Sequence, residues 1–133
     1  MFGPAGNLFL NPTLTRMVSI PAGTGWGVSG SFNAANEVAI VLYDALTAAP
    51  IFTFGNFSRT SLGMQALGAA TQTHVLVTAW HKNTPPNGGQ PWFQSRCRLT
   101  SRVRRSSGRF VFAADDGVGD NDFDDAVATI TYP

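Results

Sequence analysis

Residues 109–132 read RFVFAADDGVGDNDFDDAVATITY, and this stretch contains the pattern that decides the fold. Residues 109–114 and 126–132 are rich in Phe, Val, Ile and Thr, which favour β-strands. Between them, residues 115–125 place six carboxylates in eleven positions. The pattern predicts two strands joined by a tight acidic turn, which crowds the carboxylates together.

The rest of the chain continues the strand pattern. Further strands are predicted at residues 24–33, 38–43, 74–82 and 92–103. In the first of these, Trp26, Val28 and Phe32 share one parity and small or polar residues the other, which indicates a half-buried strand. The run VAIVLY at 38–43 is apolar on both parities and predicts a central strand covered on both faces. Residues 55–73 fit either a short helix or irregular strands.

Length and composition limit the possible architectures. The chain has 133 residues, 44% of them hydrophobic and 13% charged, and a single cysteine, so it has no internal disulfide. No linker divides it and no long period repeats. We therefore predict an all-β protein, one antiparallel β-sandwich domain over residues 1–133 with about nine strands and the acidic loop at one end.

The N-terminus and the hydropathy bear on localisation. No apolar run is long enough for a membrane helix, and MFGPAGNLFLNP lacks the basic and continuous apolar regions of a signal peptide. We expect no membrane insertion. The protein is expected in the cytoplasm, or at the cell surface after export by a route that needs no such signal.

The acidic loop is best explained by a bound cation. Carboxylates packed this densely repel one another, whereas Ca²⁺ accepts six to eight oxygen ligands. The spacing does not fit an EF-hand, because Asp125 and Thr131 stand where Gly and Glu are needed. A solvated acidic turn is the alternative.

Two segments resemble the bacterial two-calcium lectins of the Pseudomonas type, which bind fucose and mannose. DDGVGDNDFDDAV followed by ATITYP is similar to that family's E-D-G-T-D-N-D-Y-N-D-A-V run and its final strand. SIPAGTGWGVSGSFN is similar to the family's L-P-A-N-T-x-F-G-V strand, which leads to an asparagine. The resemblance implies a nine-stranded sandwich in which two adjacent Ca²⁺ ions ligate sugar hydroxyls directly.

The resemblance also implies which residues form the site. The implied metal ligands are Asn33, Asp115, Asp120, Asp122, Asp124 and Asp125. The implied sugar contacts are Ala34, Ala35, Asn36, Asp116 and Gly117. Either Asp115 or Asp116 takes the place of the family's glutamate, because this loop has one extra residue. Alanines at 34 and 35 offer no hydroxyl, which favours mannose over fucose.

The chain departs from the family at two points. Asp124 stands where the family usually has asparagine, and the chain ends at Pro133, before the family's terminal glycine, whose carboxylate reaches the dimer partner's site. We expect Asp124 to supply the missing charge. A homodimer or a dimer of dimers is still expected, with the last strand as one possible contact through Ala126, Ala128, Ile130 and Tyr132.

Basic residues are concentrated just before the acidic loop. Six of the nine lie between Arg96 and Arg109, and alternation from 96 to 104 predicts a strand with a basic outer face. A solvated face that protects a sheet edge is the first interpretation, and binding of nucleic acid, of lipid phosphates or of anionic glycans are the others. No aromatic residue interleaves with the arginines, so no nucleic-acid partner is expected.

The predicted function is a non-enzymatic, calcium-dependent lectin for a sugar of the mannose or fucose type. The alternative is a calcium-stabilised structural or adhesive sandwich without sugar binding. An enzyme ranks third, because the two histidines, His74 and His81, occur without a GxSxG or HExxH motif.

Overall fold

A computed structural model describes residues 10–32, 38–55, 61–66, 73–81, 93–104, 107–114 and 126–132. This part of the chain contains one 3₁₀ turn, Pro12–Leu14, and no α-helix. Its strands are β1 (Arg16–Ile20), β2 (Trp26–Phe32), β3 (Val38–Asp44), β4 (Pro50–Gly55), β5 (Ser61–Ala66), β6 (Thr73–His81), β7 (Phe93–Gln94), β8 (Cys97–Val103), β9 (Gly108–Ala114) and β10 (Ala126–Tyr132). No helix among the described residues has the length and apolar character to cross a membrane.

The strands form two antiparallel sheets. Sheet A has the order β1-β6-β3-β4, with the short β7 also paired to β6. Sheet B has the order β5-β2-β10-β9-β8. The predicted all-β sandwich is thus confirmed, with nine strands of five residues or more and one of two residues in the described part.

The core lies between the two sheets and contains alternate residues of most strands. Ile40 and Leu42 of β3 face Phe112 and Ile130 of sheet B in one buried cluster. At its border, the rings of Trp26 and Phe52 meet edge to face with centroids 5.7 Å apart. Burial of branched and aromatic side chains at every second position is what the period of two predicted.

The predicted strands correspond closely to five observed ones. β2, β3, β6, β9 and β10 begin and end within two residues of the predicted bounds. In β2, Trp26 and Val28 are buried while Ser29 and Ser31 are exposed. Residues 38–43 of β3 are all buried, as expected for a strand covered on both faces. Residues 55–73, which the pattern left open, contain β5.

The prediction of one strand over 92–103 is wrong. β7 pairs with the end of β6 in sheet A, whereas β8 pairs with β9 in sheet B. The chain crosses between the sheets at Ser95 and Arg96, and the Ser95 amide donates to the Ala79 carbonyl at 2.7 Å. The sequence has no glycine or proline at this crossing, and the alternation of residue types continues through it. The pattern therefore gave no sign that the strand ends there.

The suggested dimer contact through the last strand is also wrong. β10 lies in the middle of sheet B, hydrogen-bonded to β2 on one side and β9 on the other. Its four inward residues, Ala126, Ala128, Ile130 and Tyr132, are buried in the core. They are therefore unable to contact a second copy of the chain.

Candidate functional site

One end of the sandwich gathers four of the chain's connections, and we call it the motif end. In sheet B, β2 ends at Phe32, β9 ends at Ala114 and β10 begins at Ala126. In sheet A, β3 begins at Val38, which pairs with the last residue of β6, His81. Segments 33–37, 56–60, 82–92 and 115–125 all connect strands at this end.

The register brings together the attachment points of the two predicted ligand segments. Ala126 pairs with Phe32 on one side and with Ala114 on the other. Neighbouring strands lie about 4.8 Å apart, so these three residues span only ~10 Å. In the sequence, Asn33 follows Phe32, Asp115 follows Ala114, and Asp125 precedes Ala126. The sequence motif placed the asparagine on a different strand from the acidic loop, and the two strands are neighbours.

The predicted site residues themselves lie outside the described residues. This applies to the metal ligands at 33, 115, 120, 122, 124 and 125 and to the sugar contacts at 34–36, 116 and 117. Asp44, at the far end of β3, is the one acidic residue in the described part. Accordingly, the described residues alone contain no group of three His, Cys, Asp or Glu side chains that could hold a metal ion.

The motif end also contains a buried pair of polar side chains that the sequence analysis did not identify. His81 Nδ1 and Ser95 Oγ share a hydrogen bond of 2.7 Å, and both side chains are buried. The His81 ring also lies 6.0 Å from the half-exposed ring of Phe93, centroid to centroid. Parity with Val77 and Ala79 indicates that His81 points inward, but no sequence signal indicates its partner. The pair joins β6 to the crossing between the sheets.

Cys97 also lies at this end, opposite Ala114. It is buried, and its thiol donates to the Leu14 carbonyl at 3.2 Å. Burial raises the pKa of the thiol, and the Arg16 guanidinium opposes that rise only in part. Cys97 is therefore a neutral packing residue at physiological pH rather than a thiolate ligand.

Comparisons with known proteins connect this fold to lectins. No protein-family model matches the sequence, and a search of curated proteins found no match. Among solved structures, the chain is similar to the Chromobacterium violaceum lectin CV2L in complex with α-methyl-fucoside, with a TM-score of 0.66 and 17% identity. The match covers 88% of this chain and 95% of that one.

Two further structures match over the same share of this chain. The Ralstonia solanacearum high-affinity mannose-binding lectin matches with a TM-score of 0.65 and 20% identity, over 88% of this chain and 95% of that one. The C-terminal domain of the BC2L-C lectin from Burkholderia cenocepacia matches with a TM-score of 0.65 and 19% identity, over 88% and 94%. The resemblance drawn from the acidic motif is thus confirmed at the level of the fold.

Proposed function

We propose that this chain is a lectin that binds a mannose- or fucose-type sugar through two adjacent Ca²⁺ ions at the motif end. The observation that carries the proposal is the position of Ala126 between Phe32 and Ala114. Residues 115–125 lead into β10, the neighbour of the strand β2 that Asn33 follows, so both segments attach within reach of a common cation. The similarity of the fold to fucose- and mannose-binding lectins supports the sugar class.

The proposed ligands suit calcium by chemistry and by charge. Carboxylate and amide oxygens are the ligands that Ca²⁺ prefers, at about 2.3 to 2.6 Å. Two ions bring four positive charges, and the ligands Asp115, Asp120, Asp122, Asp124 and Asp125 bring five negative ones. The site is then close to neutral, so the carboxylates no longer repel one another.

The sugar would bind by completing the calcium coordination. Vicinal hydroxyls replace water at the open positions of the two ions, and each such contact is stronger than a neutral hydrogen bond, which nets ~0.5 to 1.5 kcal/mol. Residues 34–36, 116 and 117 would line the sugar and select among epimers. The proposed activity is binding alone, without a catalytic step.

Thermal unfolding tests the calcium part of the proposal. A ligand that binds only the folded state at a hundred times its Kd stabilises by ~2.7 kcal/mol, a Tm rise on the order of 10 °C for a chain of this size. We expect that rise in millimolar CaCl₂ relative to EDTA, and expect Asp122→Asn to abolish it. Asp44→Asn is the matched control, because Asp44 lies at the far end and its carboxylate accepts from the Leu46 amide, a bond that an asparagine oxygen can keep. An equal Tm in CaCl₂ and EDTA would refute calcium binding.

Calorimetric titration tests the sugar part. Methyl α-mannoside and methyl α-fucoside should bind in CaCl₂ and fail to bind in EDTA, whereas methyl α-galactoside should bind in neither. Ala34→Ser should raise the affinity for the fucoside relative to the mannoside. A calcium-dependent Tm rise without sugar binding would instead support the structural sandwich without a lectin function.

A further inference from the structure

The outer face of sheet B carries a group of arginines that the proposed calcium site does not use. Arg98, Thr100 and Arg102 of β8 are exposed, as is Arg109 of β9, with the half-buried Val111 beside them. We call these five residues the arginine face. Thr100, Ser101, Arg102, Arg109 and Val111 line a surface depression of about 330 Å³. The acidic loop follows Ala114, at the opposite end of β9 and ~17 Å from Arg109.

The register sets two like charges directly against each other. Arg102 pairs with Arg109, and cross-strand side chains in such pairs have Cβ atoms about 4.5 to 5.5 Å apart. Like charges in this position destabilise a sheet. Within the described part of the chain, neither guanidinium has a carboxylate partner, because Asp44 of sheet A is the one acidic residue there.

Protection of the sheet edge explains only part of this pattern. β8 is an edge strand, and charged side chains on it discourage pairing with another chain. β9 is not an edge strand, because it lies between β8 and β10. Arg109 therefore adds repulsion without protecting an edge, which points to a ligand that needs both guanidinium groups.

The chemistry of the two side chains identifies the ligand class. Two guanidinium forks at this separation can bind one sulfate or carboxylate group in bidentate fashion. Arg98 lies four residues from Arg102 on the same strand, ~13 Å away, so positive charge continues along β8. The arrangement fits a polyanion with separated charges better than a single small anion.

Hydroxyl groups beside the arginines favour a polysaccharide. Thr131 of β10 is exposed and pairs with Arg109, and in the next row Thr129 pairs with Ser29 of β2. A chain that crosses sheet B from the β8 edge meets guanidinium groups first and then a row of hydroxyls, which match sugar hydroxyls. None of the described outward residues of β2, β8, β9 and β10 is aromatic, so the stacking that binds single-stranded nucleic acid is missing from them.

We propose that the arginine face is a second, calcium-independent site that binds the sulfate or carboxylate groups of an acidic polysaccharide, through Arg102 and Arg109. This site is separate from the proposed calcium site, so one proposal can be correct when the other is wrong.

Binding of a heparin-derived octasaccharide, measured in EDTA, tests the proposal. We expect binding to weaken steeply as NaCl rises from 0.05 to 0.5 M, because salt screens exposed charges. Arg102→Gln/Arg109→Gln should lower the affinity by about tenfold per arginine, the size of a lost charge-assisted hydrogen bond. The same octasaccharide without its sulfates keeps its carboxylates, carries fewer charges and should bind more weakly.

Two further variants separate this site from general electrostatic attraction. Met17→Glu/Leu46→Glu changes the net charge by the same amount at exposed positions of sheet A and its β3–β4 turn, and should bind within about threefold of wild type. Arg102→Lys/Arg109→Lys keeps the charge and should lose part of the affinity, because lysine lacks the bidentate fork.

Three results would overturn the proposal. The first is unchanged affinity for the octasaccharide in Arg102→Gln/Arg109→Gln. The second is an equal loss of affinity in the control Met17→Glu/Leu46→Glu. The third is tighter binding of a DNA oligonucleotide of equal charge than of the octasaccharide. Arg102→Gln/Arg109→Gln should still bind methyl α-mannoside in CaCl₂. That measurement reports on the proposed calcium site alone, so failure of one proposal can be told from failure of the other.

Discussion

The outer faces of the two sheets differ in what covers them. On sheet A, Val41, Tyr43 and Trp80 form a second buried cluster, with Leu10 and Leu76 packed against it. On sheet B, the outer face exposes arginine, threonine and serine. Both faces belong to antiparallel strands of the same sandwich, so strand geometry does not cause the difference. Side-chain character decides which face is buried and which is available to ligands.

Two hydrogen bonds stabilise the buried part of the outer face of sheet A. The Trp80 indole N–H donates to Thr78 Oγ1 at 2.7 Å, and that hydroxyl donates to the Val41 carbonyl at 2.9 Å. Thr78 is fully buried, so each of these groups would lose a hydrogen bond to water without the pairing. The cluster thus combines apolar burial with satisfied polar atoms, as a core does.

The largest effect is expected from removing the central side chain of this cluster. Trp80→Ala should lower the free energy of unfolding by ~3 to 5 kcal/mol, because it leaves a cavity and removes the indole donor. Val111→Ala, on the outer face of sheet B, should cost at most ~1 kcal/mol. Urea denaturation measures both. A loss below 1 kcal/mol for Trp80→Ala would show that the outer face of sheet A is not buried in solution.

A smaller effect is expected from removing one hydroxyl on each face. Thr78→Val keeps the side-chain shape but leaves the Trp80 indole N–H without its acceptor, which should cost ~1 to 3 kcal/mol. Thr131→Val removes an exposed hydroxyl in sheet B and should change stability by less than ~0.5 kcal/mol. Equal costs in the two variants, measured by the same denaturation, would contradict the difference between the faces.

The pH dependence of stability should report on Tyr43. Burial raises the pKa of its phenol above the ordinary value of about 10, so the unfolded chain ionises at lower pH than the folded one. The contribution of the neutral phenol to the free energy of unfolding is fully present below pH 10. It declines as the pH rises past 10, by at most ~1.4 kcal/mol per pH unit. Denaturation from pH 8 to 10.5 should show a shallower decline in Tyr43→Phe than in wild type. Identical slopes would mean that Tyr43 is exposed.

The smallest effect is expected on the arginine face and has the opposite sign. Arg109→Thr removes the charge opposite Arg102 and should stabilise the fold by ~0.2 to 1 kcal/mol at low salt. The gain should vanish in 1 M NaCl, where screening is strong. Arg102→Thr should give a similar gain, and the double variant should add little to either, because the repulsion is removed once. Additive gains would show that the two arginines do not interact.

Much of the fold was predictable because strands have a period of two. Alternation placed Trp26 and Val28 inside and Ser29 outside, and a continuous apolar run marked β3 as covered on both faces. β1 and β4 were not predicted, since they are short and weakly patterned. The crossing at Ser95 and Arg96 was missed because alternation continues across it, so the pattern shows parity but not the sheet to which a strand belongs.

The acidic motif and its resemblance to lectins were readable from the sequence because carboxylate spacing is a local property of the chain. Residue order alone could not show that β10 lies between β2 and β9, which makes both ends of the acidic loop attach beside or within one strand of the end of β2. Nor could it show that Arg102 lies opposite Arg109, or that Val41, Tyr43 and Trp80 are buried on the outer face of sheet A. Local pattern determines which residues share a strand face. Which strands become neighbours depends on pairing between distant segments, and only the tertiary structure decides it.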